Sequence, residues 1–148
     1  FNPQRNEAIS EQTAYLMINL LEGVINQGTG IRIRYRYNLP GEIAGKTGTT
    51  QNHSDGWFMG MVPNLVSGVW VGAEDRSVRF QTITLGQGAN MALPIYAIFL
   101  DKVYSDGRLG VNPSDEWEKP LRLSNIELDC EESTSIEDSA NQFEDEFF

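Results

Sequence analysis

Lys46 stands between two glycines and ahead of three hydroxyls, in the run Gly45-Lys46-Thr47-Gly48-Thr49-Thr50. An ammonium and hydroxyls on a backbone that a ligand can approach closely are equipment for holding an anion. Two local structures could present them. A nucleotide phosphate loop needs a glycine five residues before the second glycine, a buried strand in front and a helix behind. Here Pro40 occupies the fifth position before Gly45, and Gly41 is one residue out of register. Gly48, Thr49, Thr50, Gln51 and Asn52 follow, a run of poor helix formers. A strand fits better. Ile43 and Ala44 lead into β-favouring residues, and Asn52-His53-Ser54-Asp55-Gly56 is a turn cluster. Trp57-Phe58-Met59-Gly60-Met61 then restarts an apolar run. The expectation is a hairpin with Lys46, Thr47, Gly48 and Thr49 on its first strand.

Other chemistry-bearing residues are weaker candidates. His53 is the one histidine of the chain, so no second histidine exists for a metal pair or a relay, and a solvated turn residue is the simpler reading. Asp55, beside the turn, reads as a turn-capping carboxylate rather than an acid catalyst. Cys130 is the one cysteine. It excludes an internal disulfide and lies among acidic residues, where a nucleophilic thiolate is disfavoured. No His/Cys/Asp group has metal-ligand spacing. No metal or cofactor is expected.

The elements that must position Lys46 follow from periodicity. Ser10 can cap a helix with Glu11 in its first turn. Ala14, Met17, Ile18, Leu21, Val24 and Ile25 recur at helical spacing as a core stripe, and Gly28 is a stop. Ile31 to Tyr37 alternates apolar residues with Arg32, Arg34 and Arg36, which predicts a strand with an arginine face. That face is solvated in the simple reading and attracts an anionic substrate in the sharper one. Two more strands are predicted, about Asp55 to Met61 and Leu65 to Ala73. Val62-Pro63-Asn64 joins them at hairpin length. The second is apolar enough to be central and covered on both faces. Glu74 to Asn90 has no firm pattern and is expected to be loop. Pro94 opens a helix to about Tyr104, with Ile95, Ile98, Phe99 and Val103 as its apolar stripe.

The chain has 148 residues, 40% of them hydrophobic, and a net charge of −10. That is one ordinary domain with a real core. The charge is uneven. Residues 1–114 hold nine basic and nine acidic residues, whereas residues 115–148 hold two basic and twelve acidic, so the tail carries the whole excess. A neutral body and an acidic tail argue against nucleic-acid binding. Asp129 to Glu146 is expected to be disordered or loosely held. No run has the apolar length of a membrane span, and no signal peptide is recognised. Because the first residue is Phe1, a processed or excised piece of a larger protein is expected.

With these elements in order, the motifs become recognisable. Lys46-Thr47-Gly48 is the third signature of the serine acyl-transferases that react with penicillin. The string "AGKTGTT" (Ala44–Thr50), then "DGWFMG" (Asp55–Gly60) and "VSGVWVG" (Val66–Gly72), resembles the transpeptidase domain of class A penicillin-binding proteins. "LLEGVINQGTG" (Leu20–Gly30) and "ALPIYAIFL" (Ala92–Leu100) stand in the family's order, so the resemblance covers roughly residues 8–105. It implies an acyl transfer. A serine attacks the D-alanyl-D-alanine end of a peptidoglycan stem peptide, expels D-alanine, and passes the acyl group to an amine of a neighbouring stem. It further implies that Lys46 supplies positive charge near the serine and the donor carboxylate, and that Thr47 and Thr49 offer hydroxyls, Thr49 to that carboxylate. The Thr49 N–H would be one of two oxyanion-hole donors, preset on a rigid strand. The substrate would lie along the strand edge, and Gly48 would let it come close.

The family also needs S-x-x-K, which carries the nucleophile, and S-x-N, both N-terminal to the helix that starts near Ser10. Ile43, Phe99 and Glu116 stand three places before the three lysines, so S-x-x-K is absent, and S-x-N is expected to be missing from the chain as well. The expectation is therefore the C-terminal part of a transpeptidase domain (residues 1–109) followed by an acidic C-terminal extension (residues 110–148). The fold is α/β in the broad sense (α+β): an antiparallel sheet with packed helices, as in an incomplete penicillin-binding transpeptidase or β-lactamase-like fold. The parent enzyme would be anchored at the extracytoplasmic, periplasmic face of the bacterial inner membrane, with a glycan-polymerising domain upstream. Its partners would be stem peptides and β-lactam antibiotics in the complete domain, and the upstream half of the same protein. Alone, the chain is expected to be inert and to self-associate. Two rivals remain open: a β-lactamase-type hydrolase, and a non-catalytic binding or scaffold module of the same fold.

Overall fold

A computed structural model of the chain describes residues 6–121. The order of elements is α1 (Glu11–Asn26), α2 (Arg32–Tyr35), β1 (Ala44–Thr49), β2 (Gly56–Val62), β3 (Leu65–Val71), α3 (Ile83–Gly86), α4 (Gly88–Met91) and α5 (Leu93–Ser105), with 3-10 turns at Gln51–His53 and Gly107–Leu109. The three strands form one antiparallel sheet in the order β1-β2-β3. Gly45 lies opposite Gly60, Thr47 opposite Phe58 and Gly48 opposite Trp57. The fold is thus the expected mixture of helices and an antiparallel sheet.

Side chains alternate between the faces of a strand, and here the alternation separates a closed face from an open one. Phe58 and Val62 of β2 are buried, with Ile43 ahead of β1 and Ile25 and Ile33 beside them. Leu93, Tyr96, Ala97, Leu100 and Val103 of α5 close over this face. Tyr96 lies on Phe58 with ring centroids 4.8 Å apart. Gly60 makes the fit possible, since a Cβ there would come within 2.3 Å of the Tyr96 ring. Burial raises the Tyr96 phenol pKa well above its ordinary value. On the opposite face Trp57, Met59, Val66 and Trp70 are exposed.

The helix and hairpin signals held. Ser10 caps α1, its Oγ accepting from the Thr13 N–H at 3.2 Å, and the Gly28 N–H closes the helix on the Val24 carbonyl. Pro94 lies in the first turn of α5.

Five local expectations did not hold. Ile31 to Tyr37 is not a strand: Arg32–Tyr35 is one helical turn, with the Tyr35 N–H on the Ile31 carbonyl. No arginine face forms, because the side chains turn to backbone and amide oxygens. Arg34 donates to the Leu39 carbonyl at 2.8 Å and to Asn26 Oδ1 at 3.0 Å, and Arg32 to the Ala89 carbonyl at 3.4 Å. Only Ile33 of the alternating set is fully buried, whereas Tyr35 is exposed. The stretch expected to be loop contains α3 and α4. In α5, Ile95, Ile98 and Phe99 are exposed, and Val103 alone of the expected stripe is buried. A helix apolar on most sides offers several stripes, and Gly60 and Phe58 select the one that carries Tyr96. In α1 only Ile25 of the stripe is fully buried, and Met17 is exposed. β3 is an edge strand of the described sheet, with one face open, rather than a central one covered on both.

After α5 the chain returns across the body as a strap. Val111 joins the core. Trp117 donates its backbone N–H to the Glu42 carboxylate and its Nε1–H to Glu22 Oε1, the latter at 3.1 Å. Burial pushes the Glu22 carboxyl pKa up, which the Trp117 hydrogen bond opposes and the neighbouring Glu42 charge reinforces. The acidic stretch with Cys130, for which disorder is expected, lies outside the described residues.

Candidate functional site

β1 pairs only with β2, so its other edge has no strand partner among the described residues. The four candidate residues occupy that strand. Lys46 is exposed and lies opposite Met59. Its Nζ donates to the Thr47 carbonyl at 2.9 Å. An ammonium has three protons to give, so two remain for a ligand. The Thr47 hydroxyl pairs with Thr29 Oγ1 at 2.9 Å, tying the strand to the turn after α1. Gly48 faces Trp57, whose Cβ would be 3.1 Å from a Cβ at Gly48. Thr49 Oγ1 accepts from the Gly88 N–H at 3.0 Å.

The end of β1 is held by a hydrogen-bonded turn. Asp55 Oδ2 accepts from Ser54 Oγ at 2.8 Å and from Thr50 Oγ1 at 2.9 Å, and Oδ1 accepts from Trp70 Nε1 at 3.1 Å. The Asp55 N–H donates back to Thr50 Oγ1 at 2.9 Å. Arg76 approaches Oδ2 at 3.8 Å. These donors, the Ser54 and Thr50 hydroxyls first, hold the Asp55 carboxyl below the usual carboxylate range. Asp55 is thus a turn-binding carboxylate, as its place beside the turn predicts. Asn52 and His53 both take φ of 60° inside this turn. His53 is only half-exposed, and its Nδ1 is buried without a hydrogen-bond partner among the described residues. It packs against Gly86, where a Cβ would come within 2.4 Å of the His53 Cβ. The turn histidine that the sequence reading takes as solvated is therefore partly covered.

Among the described residues no His/Cys/Asp/Glu group could hold a metal ion. Sequence reasoning missed Thr29, Gly88 and the Trp70 contact to Asp55. The Gly86-Gln87-Gly88 pair of glycines just ahead of a helix was the available signal for close approach to another backbone. One S-x-N spacing does exist, at Ser139-Ala140-Asn141. It follows K-T-G in the chain instead of preceding it and lies outside the described residues.

The K-T-G-T strand thus lies at a sheet edge without a strand partner among the described residues, with helices packed on one face of the sheet. Comparison with known proteins identifies the family. Residues 2–79 match the family described as penicillin binding protein transpeptidase domain. The chain belongs to that family. Penicillin-binding protein 1A of Pseudomonas aeruginosa is 38% identical over 133 residues, covering 87% of this chain and 15% of that protein. Penicillin-binding protein 1B of Escherichia coli is 37% identical over 99 residues, covering 66% of this chain and 11% of that one. The crystal structure of penicillin-binding protein 1A from Haemophilus influenzae superposes with a TM-score of 0.63 at 27% identity, over 76% of this chain and 17% of that chain. The chain therefore spans about one seventh of the length of the curated relatives it matches. No helix among the described residues is long and apolar enough to cross a membrane.

Proposed function

We propose that this chain is the C-terminal part of a D,D-transpeptidase domain that cross-links peptidoglycan stem peptides by serine acyl transfer and is acylated by penicillin. The observation that carries the reading is β1 itself. An exposed ammonium and an exposed threonine hydroxyl lie on one strand whose outer edge has no strand partner among the described residues, and two of the ammonium's three protons have no acceptor there. That is a receptor for a carboxylate-ended peptide laid along the strand.

In this reading Lys46 supplies positive charge to the reacting serine and the donor carboxylate. Thr47 braces the strand through Thr29. Thr49 donates its hydroxyl to the carboxylate and its N–H to the oxyanion that forms on attack, where a preset donor stabilises the developing charge. Gly48 leaves the strand low enough for a substrate. The serine is not in this chain, because S-x-x-K is absent. It would come from the upstream half, as would the membrane anchor and the glycan-polymerising domain of a class A protein at the extracytoplasmic face. The domain would end near Leu109, with the strap laid back on α1 and an acidic extension beyond. Lys46, shared by both chemistries, does not separate transpeptidase from β-lactamase-type hydrolase. The Trp57-Phe58 strand and the Thr49-Thr50 pair favour the transpeptidase.

The test is acylation by a fluorescent penicillin. In the full-length protein Lys46→Ala should slow acylation about ten- to a hundredfold, the equivalent of one charge-assisted hydrogen bond of roughly 1.5–3 kcal/mol. The fold should survive, since Lys46 is exposed and its loss leaves no cavity. This chain alone should show no covalent adduct by intact-protein mass spectrometry. Unchanged kinetics in the variant would refute the role of Lys46, and a stoichiometric mass increase would refute the missing nucleophile.

A further inference from the structure

A hydroxyl has one proton to give and two lone pairs. At Thr49 one lone pair is taken by the Gly88 N–H at 3.0 Å, and among the described residues the hydroxyl donates to nothing. Thr49 is exposed, and such a side chain can choose among staggered rotamers. A backbone N–H from a separate element selects the one that turns the oxygen to Gly88. The proton is then left for an acceptor outside the strand, and a carboxylate makes the strongest such bond.

Gly88 can deliver this N–H because it lacks a side chain. A Cβ there would come within 2.3 Å of the Gly48 carbonyl oxygen and 2.4 Å of the Trp57 carbonyl oxygen. Both are backbone atoms of the sheet and cannot move aside cheaply. The element that carries Gly88 is itself anchored. Arg32 donates to the Ala89 carbonyl, and Met91 packs onto Gly56, where a Cβ would meet its Cε at 2.4 Å.

We infer that Gly88 is a positioning residue for the Thr49 hydroxyl: its close seat on Gly48 and Trp57 orients that hydroxyl as a donor to the carboxylate of the acyl donor. The inference rests on the transpeptidase reading of β1. It places α4 in control of one substrate contact without itself touching substrate.

A double-mutant cycle tests it in the full-length protein. The second-order rate of acylation by a fluorescent penicillin, which carries the carboxylate, is measured for wild type, Thr49→Val, Gly88→Ala and the pair. Thr49→Val, which removes the hydroxyl at constant shape, should slow acylation about tenfold or more. Gly88→Ala should slow it by at least a similar factor, because its Cβ also displaces Gly48 and Trp57. The cycle that decides uses glycolic acid in place of Gly88, which removes the N–H without adding an atom: the ester should slow acylation by a factor similar to Thr49→Val, and the two together should be no slower than Thr49→Val alone, within about twofold. Losses that multiply, or an ester variant that reacts at the wild-type rate, overturn the positioning role alone. Thr49→Val reacting at the wild-type rate overturns the reading of Thr49 and this inference with it.

Discussion

The two faces of the sheet are built from the same three strands and have opposite fates. Toward α5, β2 presents Phe58 and Val62 at 0% and 2% exposure, with Gly60 between them shaped to receive Tyr96. On the other side the same strand presents Trp57 and Met59 at 44% and 43%, and β3 adds Val66 and Trp70. The difference is not one of hydrophobicity. Trp57 and Trp70 lie beside each other, with ring centroids 6.3 Å apart, and both stay nearly half exposed. A buried face needs an opposing surface of matched shape, and α5 supplies that for one side alone. Exposed apolar patches of this kind mark surfaces that other protein covers. In the proposed function, the upstream half of the domain is the cover.

The comparison is most sharply tested by truncating adjacent residues on opposite faces. Phe58→Ala should destabilise the chain by about 3–5 kcal/mol, the usual cost of emptying a buried aromatic site. Met59→Ala, one residue away on the open face, should cost under about 1 kcal/mol, because half-exposed side chains gain little from burial. Urea unfolding of both variants decides the matter, and equal losses would mean that the open face is covered after all.

A second test reads the open face directly. At micromolar concentration the isolated chain should sediment as a small defined oligomer, since the apolar face and the bare strand edge favour pairing while the acidic tail opposes precipitation. Replacing Trp57 and Trp70 by Lys should return it to a monomer. A stable compact monomer of the unsubstituted chain, at its 16.6 kDa, would show that the body needs no further cover.

The smallest effect concerns two carboxylates, Asp55 in the turn after β1 and Glu22 of α1 beneath the strap. Asp55 has its folded pKa lowered, chiefly by Ser54 and Thr50. Its contribution is therefore present above the unfolded value near 3.9 and is lost as pH falls through the folded value. Glu22 has its pKa raised by burial. Its sign is opposite: the contribution is full below the unfolded value near 4.3 and is lost as pH rises through the folded value. Thermal unfolding between pH 3 and 7 should show Asp55→Asn blunting the acid loss and Glu22→Gln removing the gain on acidification. Parallel curves for wild type and both variants would show that neither group is held as described.

Much of the site was legible because it is local. The K-T-G-T run, its β character and the turn at Asn52 to Gly56 follow from glycine, β-branched and turn residues close together in the chain. Ser10, Gly28 and Pro94 mark helix ends for the same reason, since capping involves groups within one turn of backbone. The five quoted segments, in their order, were enough to indicate the family. Ile31 to Tyr37 misled because apolar–polar alternation over seven residues is also compatible with one helical turn in which a single isoleucine is buried.

What the tertiary structure alone decided depends on partners far away in the chain. The face that α5 buries is chosen by Phe58 and Gly60, which lie on another element. The arginines of α2 are directed by carbonyl and amide oxygens at Leu39, Asn26 and Ala89. The Thr49 hydroxyl is oriented by an N–H 39 residues away. No period of 2 or 3.6 residues encodes such contacts. They arise only when close-packed elements exclude all but one arrangement, and that is why the composition of the strand could be read from its residues while the direction of its hydroxyls could not.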